Sequence, residues 1–236
     1  MKLMTWNVGL VGNLFRKVMC VFESKEISIQ NICNRIIKEN PDIVALQEIY
    51  TNDFELIQNE LKHLYPYNIH KNSLGLCFLS KPKLSYEYKI IFPRDGLSSC
   101  LRTNNGVIVA RQQNTRNFFC NIHLSCGLGY EYEYHYINMV KNVHKNDNLV
   151  MMGDFNAFRN YNYNKICKLL EIKKNDKNKY YSYDHPLLKC NFDYIINFEK
   201  GKEKGYELGS KCIDDKSSDH YPLISKIMIN KKKNNK

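Results

Sequence analysis

Eight side chains able to bind a hard cation or a phosphate group, Asn7, Glu48, His123, Asp154, Asn156, Asp193, Asp219 and His220, lie in six short segments: LMTWN, IVALQE, FFCNIH, LVMMGDFN, NFDYII and SSDHYPL, with Asn7 and Glu48 closing the first two. Glu48 and Asp154 are the natural cation ligands, because Mg²⁺ prefers oxygen donors, keeps several waters and takes one or two protein carboxylates plus substrate phosphate. Asn7 and Asn156 add neutral amides, which can coordinate metal or donate to a phosphate oxygen without a charge that repels a phosphodiester. His123 and His220 can donate to phosphoryl oxygens or move protons near neutral pH. Asp193 sits inside an apolar run, where a lone acid is costly unless paired, and a pair with His220 would satisfy it and orient the ring. One acid after one strand is an ordinary turn former or helix cap. Six such islands, mixing carboxylate, carboxamide and imidazole, point instead to a site assembled at one rim of a fold.

Residues so far apart in sequence need a rigid platform. The apolar runs read as strands buried in a sheet. The pattern predicts a strand over 2–7 and an amphipathic helix over 27–39, with Ile29, Ile32, Cys33, Ile36 and Ile37 at helical spacing and Pro41 as its stop. The strand IVALQ follows, then a helix over 53–64 with Phe54, Ile57, Leu61 and Leu64 inward. Runs at 67–71, 75–80, 84–92, 106–112 and 117–123 predict mostly antiparallel meanders. A helix near 131–145, with Tyr136, Met139, Val140 and Val143 on one face, precedes the strand LVMMG, and a shorter helix near 163–170 follows it. Strands around 192–197 and 221–229 close the chain. Strands throughout, with helices early and late, predict an α/β (α+β) fold of two sheets packed face to face with helices outside.

The 236 residues, 43% of them hydrophobic, are enough for one core, so residues 1–230 are expected to form a single domain and 231–236 a basic disordered tail. No apolar stretch approaches the ~20 residues needed to span a bilayer, and MKLMTWNVGL is too short an apolar run for a signal peptide. The nine cysteines include no C-x-x-C pair and several lie in apolar runs, which predicts a reduced, intracellular protein in cytoplasm or nucleus, without a zinc site. The net charge of +11 suits an anionic partner. Part of that charge is concentrated in KKNDKNK and the terminal KKKNNK, which read as solvated segments.

TWNV, LQE, GLCFLSK, NIHLS, GDFN, DYI and SSDHYPL, in this order and at these intervals, resemble the endonuclease/exonuclease/phosphatase superfamily, which includes deoxyribonucleases, apurinic endonucleases, tyrosyl-DNA phosphodiesterases, deadenylases and neutral sphingomyelinases. The resemblance runs from Met1 to about Ile229, and GDFN with SDHYPL is its most specific part. It implies a four-layer α/β sandwich and hydrolysis of a phosphate ester by an activated water, dependent on Mg²⁺, with Mn²⁺ as a substitute. By the same resemblance Glu48 would be the principal metal ligand, with Asn7 beside it and Asp219 close to the metal. Asp154 would orient or deprotonate the water, and Asn156 would contact the scissile phosphate. His220, held by Asp193, would stabilise the phosphorane charge or act as base, and His123 would be a candidate leaving-group acid. Arg102, in LRTNNGVIV, would be a second phosphate contact.

Substrate expectations divide. A basic chain with aromatic residues on its loops favours nucleic acid, acted on by a nuclease or DNA-end-processing phosphodiesterase that works as a monomer. Tyr161, Tyr163, Tyr180, Tyr181 and Tyr183 are expected on rim loops, where they could stack bases; the tyrosines at 130, 132, 134 and 136 cannot share one helix face and are expected to pack partly into the core. The alternatives are a sphingomyelinase-type lipid phosphodiesterase, which HLS and SDHYPL resemble almost as well, and a catalytically silent binding protein on the same fold.

Overall fold

β1 (Lys2–Asn7) runs parallel to β2 (Ile43–Gln47) at the centre of the first sheet, with Asn7 opposite Gln47 in register. The computed structural model describes residues 1–9, 25–93, 105–125, 131–157, 159–175, 181–185, 188–202, 204–213 and 217–228. β3 (Tyr67–Lys71), β4 (Leu76–Ser80), β14 (Ser210–Cys212) and β15 (Leu223–Lys226) complete this sheet in the order β14-β15-β1-β2-β4-β3. The second sheet contains β5 (Leu84–Ile91), β6 (Gly106–Gln112), β7 (Asn117–His123), β8 (Asn148–Asp154), β9 (Ile172–Lys173), β12 (Asp193–Phe198) and β13 (Gly205–Glu207), ordered β5-β6-β7-β8-β12-β13-β9. Most neighbouring strands are antiparallel, the exceptions being β1 with β2, β7 with β8 and β9 with β13. A separate hairpin pairs β10 (Tyr183–His185) with β11 (Leu188–Cys190).

The side-chain period of two along each strand decides the layers. In β2, Ile43 and Ala45 face the second sheet, where Ile108, Phe119, Val150, Met152 and Ile195 meet them. Val44 and Leu46 point the other way, onto α1 (Lys25–Glu39) and α2 (Thr51–Leu61), whose Ile29, Ile32, Ile36, Phe54, Ile57 and Leu61 are buried there. In β7, Phe119 faces inward while Phe118, Cys120 and Ile122 meet α3 (Glu131–Val143) and α4 (Arg159–Leu169) through Ile137, Val140, Ile166 and Cys167. Helix, sheet, sheet, helix is the four-layer sandwich. Strands covered on both faces explain why the sequence shows continuous apolar runs there. Each fully buried Leu, Ile or Phe contributes about 1.5–3 kcal/mol by leaving water.

The face of α3 differs from its sequence expectation. Ile137, Val140 and His144 form the buried stripe, with Glu133 one turn earlier, whereas Met139 and Val143 are 57% and 67% exposed. Residues 133, 137, 140 and 144 follow the helical period; the expected set shares Val140 with that stripe, while 136, 139 and 143 are each one residue before a stripe position, about 100° around the helix axis. Tyr134 and Tyr136 pack partly against the same core. Two of the tyrosines expected on rim loops are internal. Tyr163 lies in α4, stacked 3.8 Å from Tyr194 with its hydroxyl donated to Glu207 at 2.7 Å, and Tyr183 is buried against Phe192 and His220. Tyr181 is 59% exposed; Tyr130, Tyr180 and the Tyr161 side chain lie outside the described residues. Among the described residues no helix is long and apolar enough to cross a membrane.

Candidate active site

Asp154 ends β8 and is flanked in register on both sides, by His123 at the end of the parallel β7 and by Asp193 at the start of the antiparallel β12. Gly153 makes this spacing attainable. Its φ is +145°, and a Cβ there would lie 2.0 Å from the carbonyl oxygen of Ile122, so only glycine lets β8 approach β7 just before Asp154. Asn156, two residues on, has φ +42°, held by a backbone N–H bond to Asp154 Oδ1 at 2.7 Å and a side-chain bond to the Leu124 carbonyl at 2.7 Å. That leaves one Nδ2 proton and Oδ1 of Asn156 for another partner.

The first sheet brings Asn7 and Glu48 to the same rim. Glu48 follows β2 with φ +59°, a left-handed conformation that costs a side-chain-bearing residue free energy. Its neighbours impose it: Val8 N–H donates to the Gln47 carbonyl at 3.2 Å, Ile49 N–H to the Gly75 carbonyl at 2.9 Å, and the His70 ring nitrogen Nε2 sits 3.2 Å from the Ile49 carbonyl. Asn7 then bridges the sheets, its Nδ2 donating to Glu48 Oε1 at 3.0 Å and to Asp154 Oδ2 at 2.9 Å, while its Oδ1 accepts from Gly9 N–H at 3.1 Å. Gly9 is itself left-handed, and a Cβ on it would stand 3.1 Å from Asp219 Oδ1.

His220 Nδ1 lies 2.8 Å from Asp193 Oδ2, which turns Nε2 toward Asp154 Oδ2, 3.8 Å away. His123 Nε2 approaches that same oxygen at 3.8 Å and Glu48 Oε1 at 3.7 Å. Both imidazoles thus converge on one carboxylate oxygen, each just beyond hydrogen-bond reach. Arg102 lies outside the described residues, and the other eight side chains named from the sequence are brought to this rim.

Burial decides the charge states. It raises the pKa of Glu48, partly offset by the hydrogen bond from Asn7. It raises Asp154 also, against the imidazoles and the Asn7 bond that favour the carboxylate. His123 is pushed down by burial more than Asp154 pulls it up, so its ring is neutral near pH 7. Burial disfavours charge on His220 too, but the Asp193, Asp154 and Asp219 carboxylates together outweigh it and raise that ring to about 10.

Four carboxylates, Glu48, Asp154, Asp193 and Asp219, therefore gather without a lysine or arginine ion pair to any of them among the described residues. Asp193 Oδ1 is buried with no hydrogen-bond partner. Such an excess of oxygen donors fits a divalent cation. Asp154, Asp193 and His220 offer ligand atoms within 4.8 Å of one another. His220 and Asp193 are already committed to each other, however, and a protonated imidazole is no ligand. Glu48, whose side chain is 20% exposed, is the donor a hydrated ion can reach.

Sequence reasoning missed the residues that hold these groups through the backbone. Ser218 Oγ donates to the Asn7 carbonyl at 2.8 Å and accepts from His220 N–H at 3.1 Å, and the Trp6 indole donates to the His220 carbonyl at 2.8 Å. Ser182 Oγ accepts the backbone N–H groups of Phe192 and Asp193 at 2.9 and 3.0 Å. Ser218 is adjacent to DHYPL and could have been suspected; Ser182 had no signal.

The endonuclease/exonuclease/phosphatase family model matches residues 4–220, a span that contains all eight side chains. The chain belongs to this family. Among solved structures, SmcL superposes with a TM-score of 0.75 at 16% identity, covering 95% of this chain and 97% of its own. Humanized D. rerio TDP2 gives 0.67 at 13% identity, covering 95% and 97%, and sphingomyelinase C from Streptomyces griseocarneus 0.68 at 17%, covering 95% and 98%. At these identities the likeness establishes the shared family fold. Among curated proteins none matches the chain. Members of the family are hydrolases of phosphate esters, generally dependent on a divalent metal.

Proposed function

We propose that this family member is a Mg²⁺-dependent phosphodiesterase acting on nucleic acid, as a nuclease or DNA-end-processing enzyme. The convergence of both imidazole Nε2 atoms and the Asn7 amide on one Asp154 oxygen carries the reading. A carboxylate so held can act as a base, with two imidazole nitrogens each 3.8 Å from the same oxygen and close enough to serve one phosphoryl group. The +11 net charge supports a polyanionic substrate.

Glu48 would hold the ion, with Asn7 and Asp219 beside it. The ion supplies charge neutralisation for the phosphoryl oxygens. Asp154, its pKa raised by burial, takes a proton from the attacking water as the water oxygen bonds to phosphorus. The remaining Nδ2 proton of Asn156 is positioned to donate to a phosphoryl oxygen. His220, kept protonated by Asp193, donates where negative charge grows. The phosphorus–oxygen ester bond breaks, and the leaving oxygen takes a proton from His123, which must bind that proton from solvent beforehand because the ring is neutral near pH 7 in the free site.

The test is a substrate panel with Mg²⁺: plasmid, single-stranded DNA, RNA, a 5′-tyrosyl oligonucleotide and sphingomyelin, with Glu48→Ala and His220→Ala as controls. Polynucleotide or oligonucleotide cleavage lost in both variants is expected. Cleavage of sphingomyelin alone would replace the nucleic-acid reading with a lipid one, and no turnover on the whole panel would favour a silent binding protein.

A further inference from the structure

The site is divided between two sheets that otherwise meet through apolar side chains. The first carries Asn7 and Glu48 at its strand ends, and the second carries His123, Asp154 and Asp193. Apolar contact is non-directional and does not by itself fix the offset of one sheet on the other. Yet the Glu48–His123 span, 3.7 Å, is set across that junction.

Immediately beneath the site lies a polar pair inside this apolar layer. Gln47 Nε2 donates to Asn121 Oδ1 at 2.7 Å, and Asn121 Nδ2 donates to the carbonyls of Leu46 at 2.9 Å and Cys77 at 2.8 Å, so β7 of one sheet is bonded to β2 and β4 of the other. Gln47 Nε2 also donates to Thr5 Oγ1 at 3.1 Å, which ties β1 into the same network. Both amides are fully buried. Gln47 immediately precedes Glu48 and is opposite Asn7 in register, and Asn121 is two residues before His123, on the same face of β7. The pair thus sits one step below the ligand on one sheet and the imidazole on the other.

Stability gives no reason for it. Gln47 Oε1 is buried without a partner, and apolar side chains of similar shape would fill the space without that unpaired acceptor. We propose that Gln47 and Asn121 are positioning residues: their hydrogen bonds set the separation of the two half-sites and thereby the Glu48-to-His123 and Asn7-to-Asp154 distances. The meaning of that separation rests on the phosphodiesterase reading; the separation itself can be measured without it.

Three full-length variants test this: Gln47→Met, Asn121→Leu and the double. Thermal midpoint, kcat and KM are measured on the p-nitrophenyl ester of thymidine 5′-monophosphate with Mg²⁺, and side-chain amide and histidine ring resonances are recorded on metal-free protein. The expected result is a midpoint lowered in each single variant, which leaves its partner amide unpaired, and at or near that of wild type in the double, with kcat at least tenfold lower in all three, KM within twofold, and a double variant no worse in kcat than the poorer single. The His123 ring resonances should move in all three. Wild-type kcat in folded variants would overturn the proposal. If the variants fail to fold, the wild-type side-chain amides decide: protected, slowly exchanging Gln47 and Asn121 protons support the staple, and rapidly exchanging, averaged ones overturn it. A wild type with no turnover removes the phosphodiesterase reading and leaves the staple to the resonances, where an unmoved His123 overturns it.

Discussion

Asn7 Nδ2 donates to Asp154 Oδ2 at 2.9 Å although the two residues are 147 positions apart and end strands of different sheets. The same amide holds Glu48 at 3.0 Å, so one carboxamide spaces the carboxylates proposed to serve the cation and the nucleophilic water. Asn7→Ala is expected to lower turnover roughly 10²-fold with the fold retained, since the amide stabilises geometry rather than core; a melting curve beside the rate constant checks both. An Asn7→Asp variant should be worse, because it adds a fifth carboxylate to an uncompensated cluster.

Asp154→Asn removes the proposed base and keeps the shape, but its single amide oxygen can accept from only one of Asn7 Nδ2 and Asn156 N–H. Loss of general-base catalysis predicts a kcat lower by roughly 10²–10⁴-fold. Two effects oppose in stability, relief of a carboxylate that burial makes costly and loss of one accepted hydrogen bond, so equilibrium urea unfolding should place the variant within about 2 kcal/mol of wild type.

The His220–Asp193 pair has a defined pH signature. The folded pKa of His220, about 10, lies above its ordinary 6.5, so its pairing stabilises the fold fully below about pH 6.5 and the contribution is lost as pH rises toward 10. Ring resonances of the metal-free protein should show His220 protonated through neutral pH, with His123 neutral there. Asp193→Ala should lower the His220 pKa and cost about 3–5 kcal/mol, the penalty for leaving a buried charge alone.

Gly153→Ala places a methyl group 2.0 Å from the Ile122 carbonyl oxygen at a φ of +145°. The backbone must move, and the move separates His123 from Asp154. Destabilisation of about 3 kcal/mol or more is expected, read from denaturant midpoints.

Sequence made the strand-end residues legible because burial on both faces writes itself as an apolar run, and a polar residue closing such a run stands out, as Glu48 and Asp154 do. The Asp193–His220 contact followed from the cost of an acid inside NFDYII. Other features were hidden for physical reasons. Strands of two or three residues, β9 to β11, β13 and β14, are too short to display a period. The α3 stripe was misplaced because exposed Met139 and Val143 are as apolar as buried Ile137. Tyr163 and Tyr183 read as rim aromatics because hydroxyl satisfaction by a distant Glu207, or packing on His220, leaves no local mark. Gln47 and Asn121 were passed over inside LQE and NIH because their work is done across the sheets, on each other.

On the proposed mechanism a divalent ion held at Glu48 and a base at Asp154 hydrolyse a phosphodiester together. Turnover of the p-nitrophenyl ester of thymidine 5′-monophosphate, titrated with Mg²⁺ for wild type and Glu48→Ala, tests it most directly. Saturable activation is expected in wild type, with abolition by EDTA and recovery on added Mg²⁺, and at least 10²-fold lower turnover in Glu48→Ala at every Mg²⁺ concentration. Equal turnover in EDTA, or a Glu48→Ala titration that overlays that of wild type, would rule out a metal-dependent role for Glu48.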